Sequence, residues 1–431
     1  MGKVKYSVVL PTLNSIQYLP TCVETIISQD YSDYELIISN NCSDDGTAEY
    51  LETLRSNPQV KIIRPEKRLP LGEHWDFAVS HAQGEWVYGI GSDDGVLPYF
   101  FKLLDILTDI ADKKNLNIIK TNRVYYFWDG VQDVYGNAYI NYYARPHIEI
   151  KSTKKILYEV LYENPDKFFD IPQMYTTALF RDTVLGKIKH SKNNRIIQQG
   201  ISQDIYLGLL GGIVEEYYLY TDIPIGWVGS SVKSYGLKES KTIPNFETLK
   251  KEVQTNPEKY CGKFINHHSI LPFGNSYLEY AIWIFLKNKD GYDVSLPSDL
   301  DILQYENQVK FYACSYKKIM EIQDKTVRQQ RLFFLNVMLD YNGIKNTDVI
   351  AAYKRMTSTT SKNHILVKKI KGIFGRMIKK LFLKNTIDTV MSMKIYQCYG
   401  DANIFKDMLA VNEAIKNAPE IHAMIASLAV N

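Results

Sequence analysis

The chain has 431 residues, of which 45% are hydrophobic and 23% are charged, so a folded globular protein is expected and a disordered one is excluded. At roughly 100–200 residues per domain, this length predicts two domains, and no apolar run reaches the roughly 18–20 residues of a membrane-spanning helix. The five cysteines form no C-x-x-C pair. Zinc sites and a disulfide framework are therefore not expected, and the cysteine usage indicates a reducing compartment, the cytosol.

The net charge of +3 hides an uneven distribution of charge along the chain. Residues 1–240 carry 24 Lys and Arg against 30 Asp and Glu, whereas residues 241–431 carry 27 against 18. Most of the basic excess lies in residues 351–400, with 11 basic residues and one acidic residue. A concentrated basic segment on an otherwise acidic protein indicates an anionic partner, either a membrane or a nucleic acid.

Strand and helix patterns alternate over the first 120 residues, and polar turns follow several of the strands. This alternation predicts βαβ units around a mostly parallel sheet, in which ligands bind at the carboxyl ends of the strands. The strands are predicted at 6–10, 35–39, 60–63 and 85–90, with helices at 18–27 and 72–83.

The pattern changes twice beyond residue 120. It is first less regular, with strands expected at 123–128 and 176–180, helices at 152–162 and 203–210, and a Gly- and Ser-rich loop at 226–236. It is then helical, with helices expected at 277–285, 327–341, 347–356, 365–383 and 404–415. We therefore predict an α/β domain over residues 1–240 and a mainly helical C-terminal domain over residues 241–431.

Two adjacent carboxylates, Asp93 and Asp94, follow the strand predicted at 85–90. Neighbouring carboxylates repel each other unless a cation or a hydrogen-bond donor offsets their charge. Carboxylate, phosphate and water oxygens together suit Mg²⁺ or Mn²⁺. In isolation such a pair more often belongs to a surface turn that caps a helix. Its place at the end of the fourth strand favours a cation site.

Other polar residues could bind a nucleotide or activate a hydroxyl group. The amide of Asn41 could pair with a pyrimidine base, although Asn in a turn before a helix is expected from turn chemistry alone. Asp204 begins a predicted helix, where Asp is usually a cap, and could also act as a general base. We expect His74 on a helix surface rather than on the nucleotide. Lys233 belongs to a loop that either closes over a diphosphate or is simply solvated.

Three strings, taken in this order and spacing, resemble the family-2 glycosyltransferases with the GT-A fold. They are Ser7–Asn14, Tyr34–Thr47 and Ala82–Asp94. The resemblance covers about residues 4–236 and does not extend to the helical part. It implies an α/β domain of GT-A type with a mostly parallel central sheet, which binds a nucleotide-sugar.

The resemblance also implies roles for individual positions. Asp94 corresponds to a metal ligand for Mn²⁺ or Mg²⁺, Asp204 to the catalytic base, and Asp45 to a residue that fixes its loop. Asn41 stands where a carboxylate usually reads the base, which leaves the base less certain. With Lys233 added from its loop, the donor-binding set is Pro11, Thr12, Leu13, Asn14, Asn41, Asp93 and Lys233.

The activity implied is an inverting, hexosyltransferase-type transfer from a nucleotide-sugar, for which UDP-sugar is expected. The acceptor would be a hydroxyl of a glycan or of a polyprenyl-linked glycan in the synthesis of a bacterial surface polysaccharide. The metal would offset the charge that builds on the leaving diphosphate. Asp204 would take the acceptor proton while the hydroxyl oxygen attacks the anomeric carbon from the opposite face.

The segment 365–383 has an apolar stripe on one face and six basic residues on the other. This pattern is typical of a helix that lies on anionic lipid, so we expect membrane contact through residues 365–384 and a cytoplasmic, peripheral location on the inner face of the membrane. The alternative is a helix that packs on its own domain. No nucleic acid partner is expected, because no nucleic-acid-binding motif accompanies the charge. A homo-oligomer through the helical domain is left open.

Two further functions compete with sugar transfer. A nucleotidyltransferase would also use carboxylates and magnesium, but it normally needs glycine and a basic residue in the first loop, and Pro11–Tyr18 contains neither Gly nor Lys. A non-catalytic scaffold of a glycan-assembly complex is the other alternative, and the complete set of carboxylates argues against it.

Overall fold

A mixed eight-stranded sheet organises the chain. The structure is a computed structural model that describes residues 3–131, 138–142, 147–198, 202–234, 246–261, 270–358, 394–397, 408–416 and 425–426. The strands are β1 (Tyr6–Thr12), β2 (Tyr34–Asn40), β3 (Val60–Ile63), β4 (Trp86–Gly89), β5 (Gly95–Val96), β6 (Ile118–Thr121), β7 (Val124–Phe127), β8 (Ala138–Tyr142), β9 (Ile148–Ser152), β10 (Ala178–Arg181), β11 (Tyr217–Thr221), β12 (Gly226–Ser230) and β13 (Lys394–Gln397).

The helices surround this sheet and continue well beyond it. They are α1 (Leu19–Ile27), α2 (Thr47–Thr53), α3 (Leu71–Val79), α4 (Phe100–Lys113), α5 (Thr153–Tyr162), α6 (Asp182–Lys187), α7 (Gln203–Val214), α8 (Phe246–Thr255), α9 (Pro257–Cys261), α10 (Gly274–Lys287), α11 (Tyr305–Glu321), α12 (Lys325–Tyr341), α13 (346–358) and α14 (Met408–Lys416). Capping side chains fix some of the helix starts: Ser152 accepts from the Lys155 amide before α5, and Asp324 accepts from two amides before α12.

The larger sheet has the order β3-β2-β1-β4-β10-β6-β11-β9. Four of its seven strand pairings are parallel and three are antiparallel, which confirms the mostly parallel sheet predicted from the sequence. Only β10 and β9 run against the others. The carboxyl ends of β1, β2, β3, β4, β6 and β11 therefore lie along one edge, where the polar loops after β1, β2 and β4 also lie.

A smaller sheet of order β13-β8-β7-β12-β5 lies beside this edge. Strand β12 pairs in parallel with β7 and antiparallel with β5, the two-residue strand that immediately follows Asp94. The smaller sheet therefore brings residues 226–230 against the turn that carries the adjacent carboxylates.

Alternating residues of the buried strands supply two hydrophobic cores. Val9 and Ile37 face one core, while Val8 and Leu10 face the other, as expected for successive side chains of a strand buried on both faces. The first core continues without a break into α10, α11 and α12, because Leu278, Phe311 and other apolar residues of those helices join it. The helical part therefore packs directly on the α/β part, and the domain boundary near residue 240 stays a prediction.

The structure corrects some of the predicted elements. Residues 226–230, predicted as a loop because of their glycines, form strand β12, since pairing with β5 and β7 outweighs their weak strand propensity. Strands β6 and β11 and helix α11 were not predicted. The basic helix predicted at 365–383 lies outside the described residues. Across the described ranges, no helix is both long and apolar enough to cross a bilayer.

Helix α14, although close to the end of the chain, packs against α1 and β5 in the α/β part. Met408 is completely buried there, and the side chain of Asn412 is also buried. Its amide oxygen accepts a hydrogen bond from Trp227 Nε1 at 2.8 Å, and its amide nitrogen donates to the Val96 carbonyl at 2.8 Å. Asn412 therefore ties α14 to both β12 and β5.

The variant Asn412→Ala should lower the free energy of unfolding by about 1–3 kcal/mol, because it leaves the indole N–H of Trp227 buried without an acceptor. Urea unfolding followed by tryptophan fluorescence measures this loss. An unchanged unfolding midpoint would show that α14 does not stabilise the α/β part.

Candidate active site

The loops after β1 and β2 are joined through Asn14. The backbone amide of Asn14 donates to Ser43 Oγ at 2.9 Å, and its side-chain nitrogen donates to Asp44 Oδ1 at 2.7 Å. In return, the backbone amide of Asp44 donates to Asn14 Oδ1 at 2.9 Å. The three bonds hold the two loops together at the carboxyl edge of the sheet.

Asp45 fixes the same pair of loops from the other side. Its carboxylate accepts from the Ile16 amide at 3.1 Å, and from the amide and hydroxyl of Thr47 at 3.1 and 2.6 Å. Burial acts to raise the pKa of Asp45, but these hydrogen bonds outweigh it and lower the pKa overall. The structural role that the family resemblance implies for Asp45 agrees with these contacts.

The other residues predicted after β1 and β2 differ in exposure. Pro11 and Thr12 are buried, and Leu13 is exposed. Thr12 Oγ1 is buried without a hydrogen-bond partner among the described residues, so it has an unused donor and acceptor at the edge of the site. Asn41 is buried, with its amide bonded at both ends to the Leu69 backbone at 2.8 Å. In this arrangement Asn41 fixes the segment around Leu69, and its contact with the base stays a prediction.

His74 is buried, so its predicted place on a helix surface was wrong. Its Nε2 lies 2.8 Å from Ser39 Oγ on β2, because the first turn of α3 packs over the end of that strand. Burial lowers the pKa of His74 to about 4, which keeps the imidazole neutral at physiological pH.

Asp94 is completely buried in the turn after β4. Its Oδ2 accepts from the Gly91 amide at 2.8 Å, and its Oδ1 accepts from the Gly229 amide at 2.7 Å. The hydroxyl of Tyr175 also donates to this carboxylate. Burial, and after it the charge of Asp93, raises the pKa of Asp94 to about 8. In the absence of a cation, therefore, Asp94 carries a proton for most of the time at neutral pH.

Asp93 is the partly exposed member of the pair. Its Oδ2 accepts from the hydroxyls of Ser231 and Ser234 at 2.7 and 2.9 Å, and its carbonyl accepts from Trp128 Nε1 at 2.7 Å. Burial raises the pKa of Asp93, and the two serine hydroxyls act in the opposite direction. A cation arriving from solvent would reach Asp93 before Asp94.

Strand β12 lies so close to the carboxylate turn that only glycine fits at position 229. A Cβ added at Gly229 would overlap the carbonyl of Asp93, and the same residue donates its amide to Asp94. The missing side chain therefore permits the amide–carboxylate bond that joins the two sheets.

Tyr175 interacts electrostatically with the carboxylate pair and with Asp204. Burial first, and then the charges of Asp94, Asp93 and Asp204, raises the pKa of the Tyr175 hydroxyl. The next residue, Thr176, has a φ of 48°, a left-handed conformation that is rare for a β-branched residue. The partly buried Tyr175 therefore bonds to Asp94 and interacts electrostatically with Asp93 and Asp204, in a strained segment.

Asp204 stands in the first turn of α7 and is partly exposed. Its Oδ1 accepts from the hydroxyl of Ser202 and from the Ile205 amide, the latter at 2.8 Å. These bonds fix the carboxylate in the first turn of α7, whose N-cap residue is Ser202 and not Asp204 as the capping interpretation expected.

Lys233 bridges the loop after β12 and the loop after β1. Its amine donates to the carbonyl of Asn14 and lies 6.0 Å from the ring centroid of Tyr18. The neighbouring serines of the same loop bind Asp93. The loop thus closes one side of the site, and contact of Lys233 with a diphosphate stays a prediction.

The described carboxylates fit a divalent cation that completes its shell with other oxygens. No group of three or more His, Cys, Asp or Glu side chains among the described residues could hold a metal without further ligands. Mg²⁺ is commonly held by one or two carboxylates with substrate phosphates and water. The pair Asp93 and Asp94 matches that chemistry, because the charge repulsion within it would be relieved by a cation.

Sequence reasoning missed several residues that contact the carboxylates. Tyr175 stands in an irregular segment, and Ser231, Ser234 and Trp128 are distant from the Asp-Asp turn in sequence. No local pattern indicates them. Ser231, Ser234 and Trp128 reach the site through the pairing of β12 with β5 and β7, which the predicted loop at 226–236 did not include. Tyr175 reaches it through the segment before β10, which pairs with β4.

The variant Gly229→Ala should lower the free energy of unfolding by about 1–3 kcal/mol, because its methyl group forces β12 away from the Asp93 carbonyl. Gly186→Ala is the matched control, since a Cβ there meets nothing within 4 Å and α6 gains helix propensity. Urea unfolding should show a loss for the first variant alone. Equal losses of unfolding free energy in the two variants would contradict the close approach of Gly229 to the Asp93 carbonyl.

The raised pKa of Asp94 predicts a pH-dependent stability that Asp94→Asn removes. The folded state holds a proton up to pH about 8 that the unfolded state releases at its ordinary value of 3.8. The stabilisation from this proton is therefore lost as the pH rises through 8. Between pH 6 and 9 the wild type should lose roughly 2 kcal/mol more than the variant in urea unfolding. Identical pH profiles of unfolding free energy in the two proteins would refute the raised pKa of Asp94.

Comparison with known proteins gives the same assignment for the α/β part. The family model described as glycosyl transferase family 2 matches residues 7–186. Poly(ribitol-phosphate) beta-N-acetylglucosaminyltransferase TarS of Staphylococcus aureus is 30% identical over 94 residues, which are 21% of this chain and 16% of TarS. Cholesterol galactosyltransferase of Borreliella burgdorferi is 23% identical over 288 residues, which are 64% of this chain and 76% of that protein.

A crystal structure of S. aureus TarS in complex with UDP-GlcNAc aligns with 14% identity and a TM-score of 0.42, covering 83% of this chain and 92% of that one. The sequence match to TarS spans only about a sixth of that protein's length. The strings Ser7–Asn14, Tyr34–Thr47 and Ala82–Asp94 all lie within the residues that the family model matches. Residues 7–186 therefore match glycosyl transferase family 2, and the α/β part of the chain has the GT-A fold.

Proposed function

We propose that this protein is a metal-dependent, inverting glycosyltransferase that moves a sugar from a UDP-sugar to a hydroxyl group of a glycan or lipid-linked glycan. The observation that carries the proposal is the pair Asp93 and Asp94 at the carboxyl edge of the sheet, with Asp94 bonded to the Tyr175 hydroxyl, on which the charge of Asp204 also acts. A pair of carboxylates for the donor side and a third for the acceptor side are what a single displacement needs.

On the donor side, Asp93 and Asp94 are the residues that would hold Mn²⁺ or Mg²⁺. The ion would supply a Lewis acid for the leaving diphosphate. Asp94, fixed by the amides of Gly91 and Gly229, sets the position of the turn, so that Asp93 presents the more accessible carboxylate. We assign the metal contact first to Asp93, with Asp94 behind it, whereas the family resemblance assigns it to Asp94 alone.

The nucleotide would lie along the loops after β1 and β2. Thr12 offers a hydroxyl without a partner among the described residues, and Leu13 is exposed beside it. Lys233 already reaches the Asn14 carbonyl across the site. A diphosphate bound there would be a stronger acceptor for this ammonium group than a neutral carbonyl.

On the acceptor side, Asp204 is the general base. The hydrogen bonds that the described residues donate to its carboxylate both reach Oδ1. Oδ2 is therefore the oxygen that we assign to the acceptor proton. As Oδ2 takes this proton, the acceptor oxygen forms its bond to the anomeric carbon, and the bond to the diphosphate breaks on the opposite face.

The biological setting is part of the same proposal. The names of the two relatives describe transfer to poly(ribitol phosphate) and to cholesterol. They support a polymeric or lipid acceptor for this chain, in keeping with bacterial surface polysaccharide synthesis. The basic segment 365–384 would then hold the enzyme on the inner face of the membrane, with residues 241–431 as its helical domain.

The variant Asp204→Asn should lower the rate of sugar transfer by about 10²–10⁴-fold, because it removes the base and leaves the donor site intact. A thermal-shift screen of UDP-sugars with Mn²⁺ first identifies the donor, since a bound ligand raises the Tm. UDP release with glycan and lipid-linked acceptors then measures the rate, and Asp204→Asn should keep the donor-induced rise in Tm.

Asp109→Asn is the matched control, because Asp109 lies exposed on α4 outside the site. It should transfer sugar at the wild-type rate. Full activity of Asp204→Asn would exclude Asp204 as the base, and absence of any donor-induced shift in the wild type would exclude the proposed function.

A further inference from the structure

A buried lysine lies near the carboxyl end of β6, at the same edge of the sheet as the carboxylate turn. Lys120 is only 3% exposed, and its amine donates to the carbonyl of Thr121 at 2.9 Å. Among the residues that the structure describes, no carboxylate oxygen lies within 4 Å of this amine. Burying an ammonium group without an anionic partner costs folding free energy, so the buried position of Lys120 needs a specific explanation.

Arg123, three residues further on, provides a second cation at the same place. Its guanidinium lies over the ring of Phe169 at 4.2 Å from the centroid. Its Nε is buried and has no hydrogen-bond acceptor among the described residues. Phe169 itself is 49% exposed, so the guanidinium and the aromatic ring together form part of the protein surface.

The surrounding acids neutralise these cations only in part. Lys151 is paired with Glu149 at 2.9 Å, and His147 reaches the same carboxylate at 3.4 Å. Asp170 acts on Lys120 through space, without a direct ion pair. Burial, followed by the Arg123 charge, lowers the pKa of Lys120 to about 7. Among the described residues, neither Lys120 nor Arg123 therefore has a direct carboxylate partner, and both keep unused donors.

This cluster adjoins the segment that packs on the helix of the predicted base. The side chain of Ile171, next to Asp170, packs where a Cβ of Gly208 would be, and Gly208 lies about one turn beyond Asp204 in α7. Strand β6 runs parallel to β11, which follows that helix, and both strands end at the same edge. The two cations are thus placed on the acceptor side of the site, away from the loops assigned to the nucleotide.

We propose that Lys120 and Arg123 form a subsite for an anionic group of the acceptor, a phosphate or a carboxylate, with Phe169 packing against the adjoining sugar or polyol. This inference rests on the proposed function, because it assumes that Asp204 faces the acceptor. Such a subsite makes the enzyme selective for an acidic glycan. The guanidinium would bind the anion through its unused donors, and the buried ammonium would add charge from behind.

The competing explanation is that Lys120 merely holds the end of β6. The two explanations differ in what Lys120→Met does to stability. If the lysine serves a ligand, replacing a buried cation by an apolar side chain of similar length should leave the unfolding free energy unchanged or raise it. If it serves the fold, the same variant should unfold at a lower urea concentration.

The test is binding of two small anions to the full chain, followed by NMR or calorimetry. Glycerol 2-phosphate probes for a phosphodiester acceptor, glucuronate probes for an acidic sugar, and glucose is the neutral control. The wild type should bind at least one anion and not glucose. Arg123→Gln and Lys120→Met should each weaken that binding by about tenfold or more. Lys102→Gln, an exposed lysine on α4, should bind as the wild type does.

The two anions distinguish the sources of the charge. Binding of glycerol 2-phosphate alone supports an acceptor with phosphate groups, and binding of glucuronate alone supports a uronic acid. Failure of both anions to bind, unchanged affinity in Arg123→Gln, or a loss of stability in Lys120→Met would overturn the subsite. Arg123 is partly exposed, so its variant keeps the test valid if Lys120→Met does not fold. Failure of UDP-sugars to raise the Tm would instead overturn the proposed function.

Discussion

The arrangement of the site depends on one buried carboxylate held by two glycine amides. Gly91 belongs to the turn after β4, and Gly229 belongs to β12 in the smaller sheet, so Asp94 is the point at which the two sheets are joined. An isolated carboxylate in this position would be strongly disfavoured. The two amides and the Tyr175 hydroxyl make it tolerable, and they also determine how Asp93 is presented to solvent.

A second constraint is the shared core. Apolar residues of α10, α11 and α12 pack into the same cluster as the strands, so the helical part supports the face of the sheet that carries α7 and Asp204. The donor side is supported differently, by the smaller sheet and by α14. The two halves of the proposed reaction therefore depend on different parts of the chain.

Much of the α/β part could be predicted, because its strands are short apolar runs and its motifs follow them directly. Local sequence indicates that Asp93, Asp94 and Asn14 lie at one edge, and the fold agrees. It does not indicate that Asp94 is buried, or that Ser231 and Ser234 bind Asp93. The burial of Asp94 and the serine bonds to Asp93 arise from the pairing of β12. The local sequence of β12 predicts a loop, because it contains glycines. Local sequence likewise does not predict the burial of His74, because that burial depends on how α3 packs over β2.

The docking of α14 under the carboxylate turn has a consequence for how the protein is made. Met408 occupies the space beside Gly95, and Asn412 secures Trp227, yet both belong to the last tenth of the chain. During synthesis on the ribosome, the α/β part emerges long before this helix exists. Trp227 and Asn412 are 185 residues apart in the sequence, so the indole N–H of Trp227 has no Asn412 acceptor until translation has passed residue 412.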